Sequence, residues 1–314
     1  MHCPPRTKPR RLYPGDTIGV IAPASPGTPE SLQAGISWLE AQGYQVETGA
    51  SVDQVLGYLS GSDELRAADI HHMFSSPEID AIFCLRGGYG TMRLLELLDY
   101  DLIRANPKIF LGYSDITALH LSIGRQAGLV TFHGPMVASD MGPGLPEYTR
   151  SSLFRTLAGD RPAGLVGNPP TTRPPALISG GRAKGLLTGG NLSLLAATLG
   201  TPYELDATDQ ILCIEEVGEA PYRIDRMLTQ LLLAGKLQAA AGLVFAVCAD
   251  CDSSEDEPDF TVEQVLKERL GSLHIPVLCQ VYFGHTVEKT TLPFGVKAVL
   301  DHRGLVIGET ATIA

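Results

Sequence analysis

A buried strand, a sharp turn and a helix are predicted in close succession within residues 106–124, N-P-K-I-F-L-G-Y-S-D-I-T-A-L-H-L-S-I-G. The apolar run 109–111 meets Gly112, and apolar residues recur with helical spacing after Ser114. Such a turn lifts the serine hydroxyl above the strand end, where N–H groups of the first helical turn can face an oxyanion. The stretch therefore predicts a nucleophile elbow at Ser114. It lacks the second glycine of G-x-S-x-G, because Ile116 stands there, and a helix N-cap at Ser114 is the alternative.

Strand and helix signals alternate through the first half of the chain. Strands are predicted at 16–24, 44–47, 79–85 and 109–111, and helices at 29–42, 63–74 (with Ser62 as N-cap) and 91–98. This alternation indicates a parallel, doubly wound sheet, and such sheets bind ligands beyond the carboxyl ends of their strands. The loop 86–90 and Ser114 both follow such ends.

A proline-rich stretch at 141–182 separates the two halves of the chain. We predict a helix at about 147–158 and then a linker. The second half carries predicted helices at 192–199, 222–234 and 262–270, and strands at 210–217, 243–248, 277–281, 296–301 and 304–308. We expect an α/β protein with a doubly wound N-terminal domain (1–164), a linker (165–182) and a smaller C-terminal α/β domain (183–314) with a β-rich, barrel-like core.

The composition of the chain argues against nucleic acid, membrane and metal ions as binding partners. Lys and Arg number 24 against 35 Asp and Glu, a net charge of −11, which disfavours nucleic-acid binding. No run approaches the ~18 apolar residues of a membrane span, and residues 1–17 lack the apolar core of a signal peptide, so a cytoplasmic location is expected. Cys248 and Cys251 form a single C-A-D-C pair, and the acidic run 250–259 lacks the spacing of a calcium loop. We therefore expect no metal and no cofactor.

The glycine-rich loop R-G-G-Y-G at 86–90 follows a predicted strand. It lacks both the G-x-G-x-x-G pattern and the acidic residue of a dinucleotide site. Its glycines let the backbone approach a ligand closely, and acyl transfer needs an N–H donor besides the one that follows the nucleophile. The loop is interpreted as part of an oxyanion hole, with a tight strand-to-helix turn as the alternative.

A serine nucleophile needs a base and a group that orients the base. Glu215 and Glu216 interrupt an apolar strand, and neighbouring strand residues point to opposite faces. One carboxylate therefore turns inward, unless the strand lies at an edge, and it needs a partner there. His285 follows a strand and a glycine, so it can project into a cleft or form a surface turn. The first half offers His71, His72, His120 and His133.

Five stretches resemble the LD-carboxypeptidases, serine peptidases that trim a D-residue from bacterial cell-wall peptides. The same family includes the microcin C7 immunity peptidases. The stretches are L-R-G-G-Y-G-T at 85–91, P-K-I-F-L-G-Y-S-D-I-T-A-L-H at 107–120, H-G-P-M at 133–136, T-G-G-N-L-S at 188–193 and I-E-E-V-G-E-A-P-Y-R-I-D-R-M-L at 214–228. They are long, occur in order and cover nearly the whole chain.

The resemblance implies roles for particular residues. Ser114 would be the nucleophile, His285 the base and Glu215 the acid that orients the base. The N–H groups of Gly88 and Asp115 would form the oxyanion hole. The catalytic site would then lie between the two domains, where pockets are common.

Three further polar residues lie in the matching stretches, namely Arg86, Asn191 and Glu219. We expect one or more of them to contact substrate or to hold the domains together. The resemblance implies a homodimer that releases the terminal D-Ala of a murein tetrapeptide during peptidoglycan recycling. Two alternatives stay open: an immunity peptidase that cleaves a peptidyl-nucleotide antibiotic, and a non-catalytic ligand-binding protein with two lobes.

Overall fold

The computed structural model describes residues 6–251 and 259–314. The first half contains, in chain order, β1 (Thr17–Ile21), α1 (Pro29–Ala41), β2 (Gln45–Thr48), α2 (Asp63–Ser75), β3 (Ala81–Cys84), α3 (Tyr100–Ala105), β4 (Ile109–Gly112), α4 (Thr117–Ser122), β5 (Thr131–His133) and α5 (Glu147–Leu157). The second half contains β6 (Gly164–Val166), β7 (Ala176–Ser179), β8 (Ala183–Asn191), α6 (Leu192–Ala197), β9 (Ile211–Glu215), α7 (Pro221–Leu233), α8 (Lys236–Ala239), β10 (Gly242–Ala246), α9 (Val262–Leu270), β11 (Val277–Val281), β12 (Leu292–Phe294), β13 (Lys297–Asp301) and β14 (Gly304–Ile307).

Six strands form the first sheet, in the order β12-β5-β4-β3-β1-β2. Strands β1 to β5 pair in parallel, and β12 pairs antiparallel with β5. Every residue of β3, β4 and β5 is buried, as expected for strands covered on both faces. The predicted α/β class with a parallel sheet in the first half is confirmed.

Eight strands form the second sheet, in the order β6-β14-β13-β8-β9-β10-β11-β7. The four strands β8 to β11 are parallel neighbours, and antiparallel pairs extend the sheet on both sides. This sheet is the β-rich core expected of the second half. Strand β9, which ends at Glu215, lies between two parallel neighbours, so the edge-strand alternative for the Glu215-Glu216 pair is wrong.

The two sheets share one hydrophobic core. Leu111 and Phe132 of the first sheet belong to the same buried cluster as Leu187 and Val281 of the second. A common core fixes the orientation of the two sheets, and hence of any site between them, because protein interiors are close-packed.

Several short elements differ from the predictions. The predicted helix 91–98 is wrong: a single 3₁₀ turn, Thr91–Leu94, stands there, and α3 begins only after Asp99, whose side chain caps it. Strands β6 and β7 lie within the predicted linker 165–182 or at its edge, and β12 was not predicted. Strands of three or four residues carry too few positions for a period to be read. The proposed domain limits stay a prediction.

Other predictions hold closely. Ser62 caps α2, since its hydroxyl accepts a hydrogen bond from the N–H of Leu65 at 3.3 Å. Helix α9 has the predicted limits, and most of the acidic run 250–259 lies outside the described residues. Among the residues described, no helix combines the length and apolarity needed to cross a membrane.

Candidate active site

Ser114 occupies a strained turn between β4 and α4. Its φ is +65°, a left-handed conformation that costs free energy for a residue other than glycine. A 3₁₀ turn, Ser114–Ile116, then leads into α4. The strand can turn sharply because Gly112 has no side chain: a β-carbon there would lie 2.9 Å from Ile116. Tyr113 holds the cap position of this turn, so the N-cap alternative for Ser114 is wrong.

Three residues from distant parts of the chain meet at this turn. The hydroxyl Oγ of Ser114 lies 3.1 Å from Nε2 of His285. The other ring nitrogen, Nδ1, lies 2.6 Å from Oε2 of Glu215. An ionised carboxylate only accepts hydrogen bonds, so Nδ1 carries the proton and Nε2 presents a lone pair to the serine hydroxyl. This is the arrangement that activates a serine.

Backbone geometry brings Glu215 and His285 together at one edge of the second sheet. Glu215 is the last residue of β9, and His285 follows β11 after a short turn. The turn passes very close to the carboxylate at Gly284, which has a φ of +78°. His285 keeps 18% of its side-chain surface exposed, so a substrate can reach it, whereas Glu215 is fully buried.

The surroundings of Glu215 keep it ionised. Burial raises the pKa of this carboxyl, but the imidazoles of His133 and His285 outweigh burial and lower the pKa to about 2. Nε2 of His133 lies 3.9 Å from Oε1, too far for a hydrogen bond but close enough for an electrostatic contact. The carboxylate therefore faces one imidazole with each of its oxygens.

Glu216 is also buried, but its side chain lies on the opposite face of the sheet from that of Glu215. Its carboxylate accepts hydrogen bonds from the side-chain amide of Asn191 at 2.9 Å and from the hydroxyl of Ser193 at 2.7 Å. Burial raises the pKa of Glu216, and these hydrogen bonds oppose that rise. Both carboxylates that interrupt the strand have turned inward, and each has found polar partners.

The glycine loop that follows β3 contacts Ser114 directly. A β-carbon on Gly87 would lie 2.7 Å from Cβ and 2.9 Å from Oγ of Ser114. Gly88, the residue singled out from the sequence, follows with a φ of +117°, and a β-carbon there would collide with Ser25. The hydroxyl of Ser25 accepts the N–H of Tyr89 at 3.2 Å. Glycines are thus required for the loop to lie against Ser114.

The three other polar candidates lie in different surroundings. Asn191 is buried, and its N–H donates to the hydroxyl of Thr117 at 2.9 Å, which joins the second sheet to the elbow helix α4. Arg86 is exposed and donates to the carbonyl of Pro26 at 3.3 Å. Glu219 pairs with Arg223 at 3.3 Å.

The histidines of the first half lie away from the Ser114 hydroxyl. His71 accepts the N–H of Asp99 at 2.9 Å, and His72 lies 3.2 Å from Glu47 at the surface. His120 and His133 are buried behind the elbow, where burial and the neighbouring imidazole lower the pKa of His120 to about 3. Of these four, His133 is the one that contacts the Ser-His-Glu group, through Glu215.

No sequence pattern predicts the ion pair that lies beside the site, in which Lys289 is buried and Asp140 is partly buried. Lys289 pairs with Asp140, and its ammonium lies 3.2 Å from the hydroxyl of Tyr113 and 4.5 Å from the centre of that ring. The Tyr113 ring meets the His285 imidazole edge to face, with the centroids 4.9 Å apart. Burial, together with the charges of Asp140 and Glu215, raises the pKa of Tyr113 well above its ordinary value. The pair thus anchors the loop that carries His285 to the first half.

Acidic, histidine and cysteine side chains do not gather into groups of three that could hold a metal ion in residues 6–251 and 259–314. The chemistry that this site can perform with its own side chains is acyl transfer by an activated serine.

Comparison with known proteins matches both halves of the chain. The family model described as the LD-carboxypeptidase N-terminal domain matches residues 18–134, and the model for the LD-carboxypeptidase C-terminal domain matches residues 184–300. A probable murein peptide carboxypeptidase of Bacillus subtilis is 43% identical over 298 residues, covering 94% of this chain and 91% of its own.

Two further proteins are similar over most of their length. The murein tetrapeptide carboxypeptidase of Pseudomonas aeruginosa is 33% identical over 288 residues, covering 90% of this chain and 92% of its own. A solved structure of MccF in complex with glutamyl sulfamoyl guanosine has a TM-score of 0.88 and 26% identity, covering 98% of this chain and 99% of that one.

Proposed function

Because the chain belongs to the LD-carboxypeptidase family of serine peptidases, we propose that it removes the terminal D-Ala of a murein tetrapeptide by hydrolysing an L,D-peptide bond. The observation that carries this proposal is the hydrogen-bonded series Ser114, His285 and Glu215. The names of the Bacillus and Pseudomonas relatives support the choice of substrate.

In the first step His285 acts as general base. Its Nε2 takes the proton of the Ser114 hydroxyl while Oγ forms a bond to the scissile carbonyl carbon. The carbonyl π electrons move to oxygen and give a tetrahedral oxyanion. Glu215 stabilises the imidazolium that forms and holds its tautomer, for which its depressed pKa is suited. We assign the stabilisation of the oxyanion to the N–H groups of Gly88 and Asp115.

In the second step the tetrahedral intermediate collapses. The C–N bond breaks, the nitrogen of D-Ala takes the proton from Nε2 of His285, and an acyl-enzyme on Ser114 remains. Water then attacks the ester carbonyl with His285 again as base, and the tripeptide leaves with a new carboxylate. The reaction thus consumes one water and returns the enzyme to its starting state.

We assign roles in substrate recognition to three residues from their location and exposure. Arg86 directly precedes the glycine that contacts Ser114, and it is exposed, so its guanidinium can pair with the terminal carboxylate in a bidentate geometry. Glu219, at 25% exposure of its side chain, is proposed as a further substrate contact. Asn191 is proposed to join the two halves of the site, because it is buried and bonds Thr117.

The same Ser-His-Glu group supports a second candidate function. MccF, whose solved complex contains glutamyl sulfamoyl guanosine, has a fold that matches nearly the whole chain. An immunity peptidase acting on a peptidyl-nucleotide would use identical steps with a different leaving group. A non-catalytic binding protein is disfavoured, because a binder has no need for a strained serine within 3.1 Å of an imidazole.

Product analysis tests the function. The purified protein is incubated with the tetrapeptide L-Ala-γ-D-Glu-diaminopimelate-D-Ala, and free D-Ala is followed with D-amino-acid oxidase. We expect release by the wild type and a loss of several orders of magnitude in Ser114→Ala, with the fold retained. Ser151→Ala, at an exposed serine of α5, is the matched control. Cleavage of glutamyl sulfamoyl guanosine but not of tetrapeptide would favour the second candidate.

We further propose that the protein acts in the cytoplasm, during peptidoglycan recycling, and as a homodimer. Family resemblance supports all three statements. Light scattering tests the assembly: a dimer has twice the chain mass of 33.5 kDa. A mass equal to one chain at working concentration would contradict it.

A further inference from the structure

Thr91 links the two segments that supply the oxyanion-hole donors, and we propose that it is a positioning residue for both of them. The inference rests on the proposed function, because it concerns the same site. Thr91 is fully buried and follows the glycine loop directly. Its N–H donates to Oδ2 of Asp115 at 2.9 Å, and its hydroxyl donates to the carbonyl oxygen of Asp115 at 2.5 Å.

The two hydrogen bonds hold Asp115 at two separate points. Thr91 donates hydrogen bonds to both the carboxylate and the carbonyl of Asp115, and the side chains of both residues are buried. With those two groups fixed, the direction of the Asp115 N–H has little freedom left. This N–H is the donor that follows the nucleophile, so Thr91 controls where it points.

The other donor segment is anchored just before Thr91. The carbonyl of Gly90 accepts a hydrogen bond from the guanidinium of Arg66 at 3.1 Å. Arg66 is fully buried, donates also to the carbonyl of Pro23 at 2.5 Å, and pairs with Asp63. The loop that carries Gly88 is therefore held at its end by two neighbouring residues. Gly90 is bonded to the buried Arg66, and Thr91 is bonded to Asp115 of the Ser114 turn.

The strained backbone at Ser114 explains why the hydrogen bonds from Thr91 to Asp115 matter for the geometry of the turn. Ser114 has a φ of +65°, and such backbone persists only where the surroundings hold it. The hydrogen bonds from Thr91 restrain the residue immediately after the strained one. Without the hydroxyl, the turn can relax and the Asp115 N–H moves relative to Gly88. A displaced donor weakens binding of the oxyanion, which exists only in the transition state and intermediate, and leaves substrate binding largely intact.

Two variants separate the hydroxyl from the rest of the side chain. Thr91→Val keeps the shape but removes the O–H donor, and Thr91→Ser keeps the donor. We expect kcat of Thr91→Val to fall about 10- to 100-fold with KM within about threefold, while Thr91→Ser stays within about threefold of wild type. Affinity for a peptide aldehyde, which forms a tetrahedral adduct with Ser114, should fall by the same factor as kcat/KM. A structural role alone would not produce this parallel.

A reagent that needs no peptide substrate keeps the test independent of the proposed function. A fluorophosphonate forms an O–P bond with Ser114 and loses fluoride, and it needs the same donors for its phosphoryl oxygen. If the wild type releases no D-Ala yet Thr91→Val still reacts more slowly than Thr91→Ser, the function fails and the positioning role stands. Equal phosphonylation rates and equal kcat in wild type, Thr91→Val and Thr91→Ser would overturn the role of Thr91.

Misfolding is controlled by a further variant. Thr91→Ala removes the donor without placing a methyl group against the Asp115 carbonyl, and near-ultraviolet circular dichroism reports whether each variant retains native packing. The proposal requires that Thr91→Ala lose kcat as Thr91→Val does. A folded Thr91→Ala enzyme with a wild-type kcat would contradict it.

Discussion

A β-carbon placed on Gly284 would lie 2.5 Å from Oε2 of Glu215, the oxygen that bonds His285. The turn that presents the imidazole thus packs against the carboxylate that orients it. Gly284 also has a φ of +78°. The position therefore tolerates neither a side chain nor an ordinary L-residue conformation.

We predict that Gly284→Ala lowers kcat about 100-fold or more, because the methyl group displaces His285 or Glu215 by roughly 1 Å. Gly235→Ala is the matched control. Gly235 has a similar φ of +72°, but no atom lies within 4 Å of an added β-carbon there. Both variants should lose stability from the positive φ, and Gly284→Ala alone should lose activity. Equal kcat values for the two variants would show that the close contact is unimportant.

The depressed pKa of Glu215 predicts how stability depends on pH. A carboxyl group whose pKa falls from 4.5 to about 2 on folding contributes stability above pH 4.5 that is lost as the pH falls toward 2. Between pH 7 and pH 3 the wild type should lose about 2 kcal/mol more than Glu215→Gln does. Urea unfolding at both pH values measures the difference. Glu40→Gln, at an exposed helix position, should leave the pH dependence of the wild type unchanged.

Breaking the Lys289–Asp140 pair should destabilise the protein. Lys289→Met leaves the partly buried Asp140 carboxylate without its cation, and we expect about 3 kcal/mol less free energy of unfolding. Activity should fall as well, because Lys289 anchors the loop that carries His285. Adding Asp140→Asn removes the uncompensated charge and should recover part of the stability. Lys267→Met, in an exposed ion pair with Glu263, provides the comparison. A double variant no more stable than Lys289→Met would rule out charge burial as the cause.

Stereochemistry at the terminal residue provides a separate prediction about the pocket. Inverting the terminal Cα exchanges the methyl group with hydrogen, so the methyl of an L-Ala peptide held by its carboxylate points where the hydrogen of D-Ala lies. We expect kcat/KM at least about 100-fold lower for the L-Ala peptide than for its D-Ala counterpart. Equal cleavage of the two peptides would refute the L,D specificity, leave the serine mechanism standing and favour the immunity-peptidase alternative.

Much of the fold was accessible from sequence because long elements carry a readable period. Helix α9 and the cap at Ser62 occur as predicted, and the elbow at Ser114 follows from a buried strand that meets a glycine. In each case, residues close together in the chain were enough to predict the element. The pairing of Glu215 with His285 needed more: strand alternation turned one carboxylate inward, and the family resemblance selected the residue.

The missed features depend on contacts between distant segments. Lys289 shows no pattern in its own stretch, and its role arises only where Asp140 meets it from another part of the chain. The sequence predicts a helix that begins at Thr91, whereas the hydrogen bonds of Thr91 to Asp115 set the backbone there. Strand β12 has three residues and is defined by its partner β5, so local sequence carries no signal for it.

The position of β12 also has a consequence for how the protein is made. This strand completes the first sheet, but it begins at residue 292, whereas β5 ends at residue 133. A ribosome adding ~5–20 residues per second needs roughly ten to thirty seconds to cover that interval. Throughout it the nascent sheet presents the open edge of β5, whose unpaired backbone N–H and C=O groups offer other nascent chains a strand to pair with. We expect chaperones to bind nascent chains that end before residue 292 more than longer chains, and chaperone binding as a function of chain length measures this.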